Sequence, residues 1–138
     1  LLCMPMSDAG RWLNYARSDL AAAGALAADP DHYPRQVCYL AQQSIEKALK
    51  AALIRQRIEF PFSHDLDRLR NLLPISWQVK TAFPDLAEMT IWAIEARYPA
   101  DMPEVLAADA VRALAVAKAI LEVIEEDMRA FSTSEDEV

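Results

Sequence analysis

The chain of 138 residues is poor in the residue types that several common kinds of site require. It contains two glycines, two cysteines and two histidines. Glycine loops that cradle phosphates need several closely spaced glycines, whereas Gly10 and Gly24 lie far apart. Cys3 and Cys38 have no CxxC spacing and provide no disulfide framework. These shortages exclude a glycine-rich phosphate loop and predict a reduced, cytoplasmic protein.

A metal centre and a membrane span are also disfavoured. Zinc sites need ligands at short, regular spacing, and di-iron bundles need a glutamate three residues before a histidine on a helix. Neither His32 nor His64 follows that pattern within a predicted helix. No apolar run approaches the ~20 residues of a membrane-spanning helix, and the apolar start is too short for a signal peptide. We expect no metal, no cofactor and no membrane association.

Charge is distributed unevenly along the chain. The formal net charge of the chain is −7. Residues 101–138 contain ten acidic and three basic residues, so this segment alone has a net charge of −7. Residues 46–70 are the exception, with six basic and four acidic residues. An acidic surface disfavours an overall electrostatic grip on nucleic acid. A local basic site around His64 remains open, and so does the simpler interpretation that these charges cover solvated helix faces.

Alanine and leucine at helical spacing dominate the first half of the chain. Ser7 can cap a first helix from Asp8 to Ala28, which Pro30 would end. A second helix is predicted over residues 34–57. Its core stripe comprises Val37, Leu40, Ala41, Ser44, Ile45, Ala48, Leu49 and Ala52, and its opposite, solvated face comprises Gln42, Glu46 and Lys50, with Glu46 and Lys50 spaced for an i,i+4 pair.

Three further helices are predicted after Pro61. Ser63 would cap a short helix from His64 to Leu73, and Pro84 would begin a helix ending near residue 95. A last helix would follow Asp101, with Glu104 completing a capping box. Its buried stripe would comprise Leu106, Ala110, Leu114, Ala117, Leu121, Ile124 and Met128.

These helices together predict the fold class. No stretch of useful length alternates between apolar and polar residues, so strands are not expected. We predict an all-α fold, an antiparallel up-and-down helical bundle of four to five helices. A single domain would occupy residues 7–131, flanked by flexible termini at 1–6 and 132–138.

Three short segments carry a family resemblance. They are residues 38–50 (CYLAQQSIEKALK), Ser63-His64-Asp65-Leu66 and Arg97-Tyr98-Pro99. Together they resemble the HEPN family of small helical domains, found in prokaryotes and higher eukaryotes and long suspected of binding nucleotides. The resemblance implies a homodimer. It also implies a partner, because single-domain HEPN proteins are typically encoded beside a separate minimal nucleotidyltransferase that neutralises them as an antitoxin neutralises a toxin.

Arg57 and His64 are the candidate catalytic pair. Many HEPN proteins are metal-independent ribonucleases with an Arg-x4–6-His motif, which the segment from Arg57 to His64 matches in spacing. A histidine can exchange a proton with the ribose 2′-hydroxyl or the leaving oxygen, and an arginine can stabilise the phosphorane charge. The segment departs from the active members of the family in two ways. Ile58 follows the arginine where they have a polar residue, and the segment lies in a loop before the predicted third helix, whereas their motif lies at the start of a late helix. Alternatively, His64 has a structural role, and its ring forms a hydrogen bond to a neighbouring backbone group or helix.

Other residues could hold a nucleotide. Gln43, Lys47 and Lys50 share one flank of the second helix and would donate hydrogen bonds to phosphate. Arg97 could bind a phosphate and Tyr98 could stack on a base. Alternatively, the three helix residues are ordinary surface residues, and Arg97-Tyr98 forms a structural corner.

Two functions follow from the resemblance. The first is a toxin-type component of a HEPN/nucleotidyltransferase pair that acts on RNA or nucleotides, as a metal-independent ribonuclease. The second is a catalytically silent nucleotide-binding or dimerising subunit of a separate nucleotidyltransferase. In either case an alanine-rich helix face left exposed after folding would supply the homodimer surface.

Overall fold

A computed structural model describes residues 7–92 and 104–131. Within those ranges the chain forms helices and no strand, which confirms the predicted all-α class. The predicted flexible termini, Arg97, Tyr98 and the predicted cap Asp101 lie outside the described residues. The helices are α1 (Asp8–Ala27), α2 (Pro34–Arg55), α3 (Leu66–Asn71), α4 (Gln78–Ala82), α5 (Ala87–Thr90) and α6 (Ala107–Ala130).

The central helix of the domain is α2. It packs along α1 and α6, while α3 and α5 pack on α2, and α4 packs on α6. Thirteen of its 22 residues are buried, so it is covered on nearly all sides rather than along one stripe. A helix in that position can bury polar side chains only where they find partners. The site described below lies on this helix.

Small residues let α1 and α2 pack along their length. Ala9, Ala16 and Ala23 recur every seventh residue of α1 and are buried. From α2, the Ser44 hydroxyl donates to the Ala16 carbonyl oxygen at 2.7 Å. The predicted N-cap of α1 is confirmed, since the Ser7 hydroxyl oxygen accepts from the Gly10 backbone N–H at 3.1 Å.

The third helix begins later than predicted and has a different cap. The Asp65 carboxylate accepts from the Arg68 backbone N–H at 3.2 Å, so Asp65 is the N-cap. The Ser63 hydroxyl oxygen instead accepts from the Asp65 backbone N–H at 3.1 Å. Because a carboxylate at residue 65 caps the helix, His64 lies outside it and is free to turn toward α2.

The predicted fourth helix from Pro84 is wrong in its start. Residues 78–82 form the unpredicted helix α4, Pro84 lies in a loop, and α5 begins at Ala87. Contacts with α3 hold that loop: the Asp67 carboxylate accepts from the Leu86 N–H at 2.8 Å, and Arg70 donates to the Phe83 carbonyl at 2.7 Å. These tertiary hydrogen bonds override the local preference of Pro84 for a first helical turn.

The last helix also begins later than predicted. Glu104 precedes α6, and the Asp109 carboxylate accepts from the Leu106 N–H at 2.9 Å in the role predicted for Glu104. Leu106, predicted to be buried, is 55% exposed because it lies at the helix start rather than within it. The other six predicted stripe residues are buried or half-buried.

Candidate functional site

The polar face of α2 that was predicted to be solvated is buried. Gln42, Glu46 and Lys50 are 0%, 4% and 5% exposed. Trp12 of α1 and the loop of residues 56–65, which connects α2 to α3, cover this face. The predicted i,i+4 spacing of Glu46 and Lys50 is realised as an ion pair, but inside the protein.

Four residues form a connected group, here called the Glu46 cluster: Gln42, Glu46, Lys50 and His64. The Lys50 ammonium donates to Glu46 Oε2 at 3.0 Å, and His64 Nδ1 lies 2.6 Å from Glu46 Oε1. The Gln42 amide donates to Glu46 Oε1 at 3.3 Å and to the His64 carbonyl at 3.5 Å. Any movement that separated Glu46 from these partners would leave a buried carboxylate uncompensated, which is strongly destabilising. The geometry of the cluster is therefore fixed.

The Glu46 carboxylate determines which nitrogen of His64 can act on a ligand. A carboxylate only accepts, so Nδ1 carries the donated hydrogen, and Nε2 is the nitrogen able to take a proton. The His64 side chain is 45% exposed, whereas that of Glu46 is 5% exposed. An oriented, accessible imidazole backed by a buried carboxylate is the arrangement of a general base.

Two aromatic rings flank the ammonium group of the cluster. Lys50 Nζ lies 5.6 Å from the ring centroid of Trp12 and 5.7 Å from that of Phe62. At such distances the ring quadrupoles attract the cation. The Phe62 ring also meets the His64 ring edge-on, with centroids 5.7 Å apart. The aromatic contacts tie the loop to the charged end of the cluster.

Among the predicted phosphate ligands that lie within residues 7–92 and 104–131, only Lys50 belongs to the Glu46 cluster. Gln43 lies at its edge, where its amide donates to Gln42 Oε1 at 2.7 Å. Lys47 points instead to α1 and pairs with Asp19 at 2.6 Å. Phosphate binding by Lys47 would therefore compete with an ion pair between helices.

Arg57, the other candidate catalytic residue, lies near the start of the loop of residues 56–65, and His64 lies near its end. Its backbone has a φ of 57°, in the left-handed region that favours glycine. The Arg57 N–H donates to the Ile54 carbonyl and the Ile58 N–H to the Leu53 carbonyl, at 3.0 and 2.9 Å. This is a Schellman motif, so the backbone of Arg57 terminates α2 while its side chain lies at an exposed position.

The strain at Arg57 leads to a stability prediction. A non-glycine residue in the left-handed region costs roughly 1–2 kcal/mol of backbone strain, which glycine would relieve. Glycine also raises the conformational entropy of the unfolded chain, and this offsets part of the gain. We expect Arg57→Gly to raise the free energy of unfolding by about 0.5–1 kcal/mol, as measured by urea denaturation. Arg57→Ala is the control, because it also removes the guanidinium but keeps the strain. Equal stabilities of the two variants would contradict the prediction.

Cys38 does not offer a second reactive group. It is fully buried in α2. Burial, and then the nearby Asp109 carboxylate, raise the pKa of the Cys38 thiol to about 11. A thiol nucleophile must be deprotonated to react, so Cys38 is a packing residue.

The described part of the chain offers neither a cluster of metal-ligating side chains nor a membrane-spanning helix. Residues 7–92 and 104–131 contain no group of three or more histidine, cysteine, aspartate or glutamate side chains placed to hold a metal ion. No helix within those ranges has the length and apolar character needed to cross a membrane.

Sequence reasoning found His64 and Lys50 but missed how they are joined. The sequence predicts Glu46 only as a partner of Lys50 on a solvated face, and it does not mark Gln42 or Phe62 as site residues. One signal was available: apolar residues extend around α2 onto the polar face itself, where Leu53 lies, and to the edge of that face, where Cys38 lies. Polar residues at three successive i,i+4 positions on such a helix indicate a buried polar ladder rather than a solvated face.

Comparisons with known proteins agree with this architecture. Residues 9–127 match the family model of the HEPN domain. The crystal structure of TT1696 from Thermus thermophilus superposes with a TM-score of 0.74 at 28% identity, covering 88% of this chain and 99% of that one. The crystal structure of ST0689, an archaeal HEPN homologue, superposes with a TM-score of 0.61 at 24% identity, covering 89% of this chain and 99% of that one. No functionally curated protein matches. Because the family model spans most of the chain, from the first turn of α1 to the last turn of α6, the protein belongs to the HEPN family.

Proposed function

We propose that this HEPN protein cleaves RNA without a metal ion, with His64 as the proton-transfer group. The observation that carries the proposal is the 2.6 Å contact between His64 Nδ1 and Glu46 Oε1. Glu46 is itself held by the buried Lys50 ammonium, so the imidazole is oriented before a substrate binds.

The proposed reaction is an internal displacement at phosphorus. His64 Nε2 takes the proton of a ribose 2′-hydroxyl, the 2′ oxygen attacks the adjacent phosphorus, and the bond to the 5′ oxygen breaks. The products are a 2′,3′-cyclic phosphate and a 5′-hydroxyl, the latter protonated by His64 or by water. Arg57, at the other end of the loop, would stabilise the negative charge on the phosphorane oxygens.

The charges of the Glu46 cluster suit this role. With a neutral His64, the Lys50 and Glu46 charges balance. Once His64 takes a proton, the cluster carries a net charge of +1 beside the phosphate, and Glu46 Oε1 stabilises the imidazolium directly. This favours the charge distribution of the transition state over that of the bound substrate.

The proposed biological setting is a two-component one. Family membership supports a separate minimal nucleotidyltransferase as partner, with the present chain as the toxin-type component. The proposed homodimer would use the exposed small residues of α1, among them Ala21, Ala22 and Ala25. Small exposed residues allow helices to approach closely, which suits an interface between copies.

The test is cleavage of a mixed RNA pool in EDTA by the wild type and by His64→Ala. We expect the variant to lose at least about 100-fold in rate, the usual contribution of a positioned acid–base group. His32→Ala is the matched control, because it removes the other imidazole outside the cluster. Cleavage that survives in His64→Ala would contradict the assignment of His64.

A second candidate function is a silent nucleotide-binding subunit of the partner enzyme. The observation in its favour is that the Glu46 cluster already satisfies its own charges, as a purely structural network would. The backbone of Arg57 likewise has a structural role at the end of α2. A folded protein that binds nucleotides, cleaves nothing and binds equally well as His64→Ala would favour this function over the first.

A further inference from the structure

Phe62 is the most exposed of the large apolar side chains in the described ranges. It is 92% exposed, compared with 76% for Ile75 and 75% for Tyr33. An aromatic ring presents a large apolar area, so full exposure to water is unfavourable unless a ligand or partner covers it. The position of Phe62 indicates which kind of ligand.

The ring lies directly against the Glu46 cluster. Its centroid is 5.7 Å from that of His64, with the two planes at 71°, and 5.7 Å from the Lys50 ammonium. These contacts orient the ring beside the His64 imidazole but cover little of it, so at least one face stays open. Pro61 precedes Phe62 and restricts the backbone of the loop at this point.

We propose that Phe62 is the stacking platform for an unpaired nucleobase, and therefore the residue that selects single-stranded ligands. This inference rests on the proposed function, because it names the substrate class of the same site. Stacking of bases on aromatic rings is tolerant of sequence, since every base has a π-face. A base on Phe62 would place its own ribose beside the His64 imidazole, where the 2′-hydroxyl must lie.

The geometry also excludes a class of substrate. Bases within a duplex already stack on their neighbours and cannot present a face to a protein ring. Single-stranded segments, loops, chain ends and free nucleotides can. The shared chemistry is an unpaired base with an adjacent phosphate or ribose, and an oligonucleotide and a mononucleotide both provide it.

The experiment measures binding of a fluorescent 2′-O-methyl oligonucleotide, which lacks the attacking hydroxyl and stays intact. Phe62→Leu keeps an apolar side chain without a π-face, and Phe62→Trp keeps the face. We expect Phe62→Leu to weaken binding by about 10-fold or more and Phe62→Trp to bind as tightly as the wild type. Tyr33→Leu, which removes a comparably exposed ring outside the site, is the matched control and should leave binding unchanged.

A second ligand makes the test specific for stacking. An oligonucleotide with abasic positions should bind the wild type as weakly as Phe62→Leu binds the intact one, with no further loss in the variant. AMP, used as a competitor, separates the two ligand sources. If Phe62→Leu also weakens AMP binding, a free nucleotide suffices, and if it weakens only the oligonucleotide, the ligand is RNA; either result supports the stacking role.

Three results would overturn the inference. Unchanged binding by Phe62→Leu, with a wild type that binds and cleaves RNA, would remove the stacking role and leave the proposed function intact. A wild type that neither binds nor cleaves would overturn the proposed function and the inference with it. A change of oligomeric state in Phe62→Leu, measured by sedimentation, would assign the ring to a protein interface.

Discussion

Replacing Glu46 with alanine is expected to lower the free energy of unfolding by about 3–5 kcal/mol. The substitution leaves the Lys50 ammonium, whose side chain is 7% exposed, without the carboxylate that it contacts at 3.0 Å. An uncompensated buried charge is among the most destabilising changes in a protein. Urea denaturation followed by far-UV circular dichroism measures the loss.

Two variants test whether the missing charge is the cause. The double variant Glu46→Met, Lys50→Met removes both charges and should recover most of the stability, because apolar replacements of a buried pair are often neutral or stabilising. Glu122→Ala removes an exposed carboxylate from α6 and should change stability by less than about 0.5 kcal/mol. A double variant as unstable as Glu46→Ala would contradict the charge argument.

Replacing Asp127, which does not belong to the Glu46 cluster, with alanine is expected to lower the free energy of unfolding by about 2–4 kcal/mol. Asp127 lies on α6, is fully buried, and accepts from the backbone N–H groups of Gln78 and Val79, each at 3.1 Å. Without the carboxylate the buried Val79 N–H is left unsatisfied, which costs about 1–3 kcal/mol, and the loss of the cap bond to the more exposed Gln78 N–H adds about 1 kcal/mol. Thermal and urea unfolding measure the change.

The site at which protection from amide hydrogen exchange is lost distinguishes the loss of a helix cap from a general loss of packing. Amide hydrogen exchange should accelerate most at Gln78 and Val79, with a smaller change in α1. Asp127→Asn keeps one acceptor oxygen and should lose about half as much stability, and the exposed neighbour Glu126→Ala should lose almost none. Equal losses in the alanine and asparagine variants, or uniform exchange across the domain, would contradict the capping role.

The three long helices could be predicted because their signals are local. The ends of α1 and α2 were predicted within about two residues, since capping by Ser7, helix breaking by Pro30 and the apolar spacing of α2 are all local signals. Apolar spacing near 3.6 residues identified the buried stripe of α6 in the same way. The three HEPN-like segments identified the family, and through it His64 and Lys50 as residues of interest.

The shorter helices and the interior of the site were beyond local signals. Five-residue α4 exists because Asp127, 49 positions later in the chain, caps it, and no property of residues 78–82 alone predicts that. Its start is also held by Trp77, whose ring stacks on Phe131 with centroids 5.5 Å apart. Helices this short are not stable by themselves, so tertiary contacts decide whether they form.

The same distinction applies to the candidate site. The sequence by itself determined an all-α HEPN domain and the spacing of Gln42, Glu46 and Lys50 along one line of α2. Only the tertiary structure decided that this line is buried, that Glu46 orients His64 from 18 residues away, and that Phe62 stays exposed beside it. The physical reason is that a periodic pattern determines which side chains share a helix face, whereas burial depends on which distant segment covers that face.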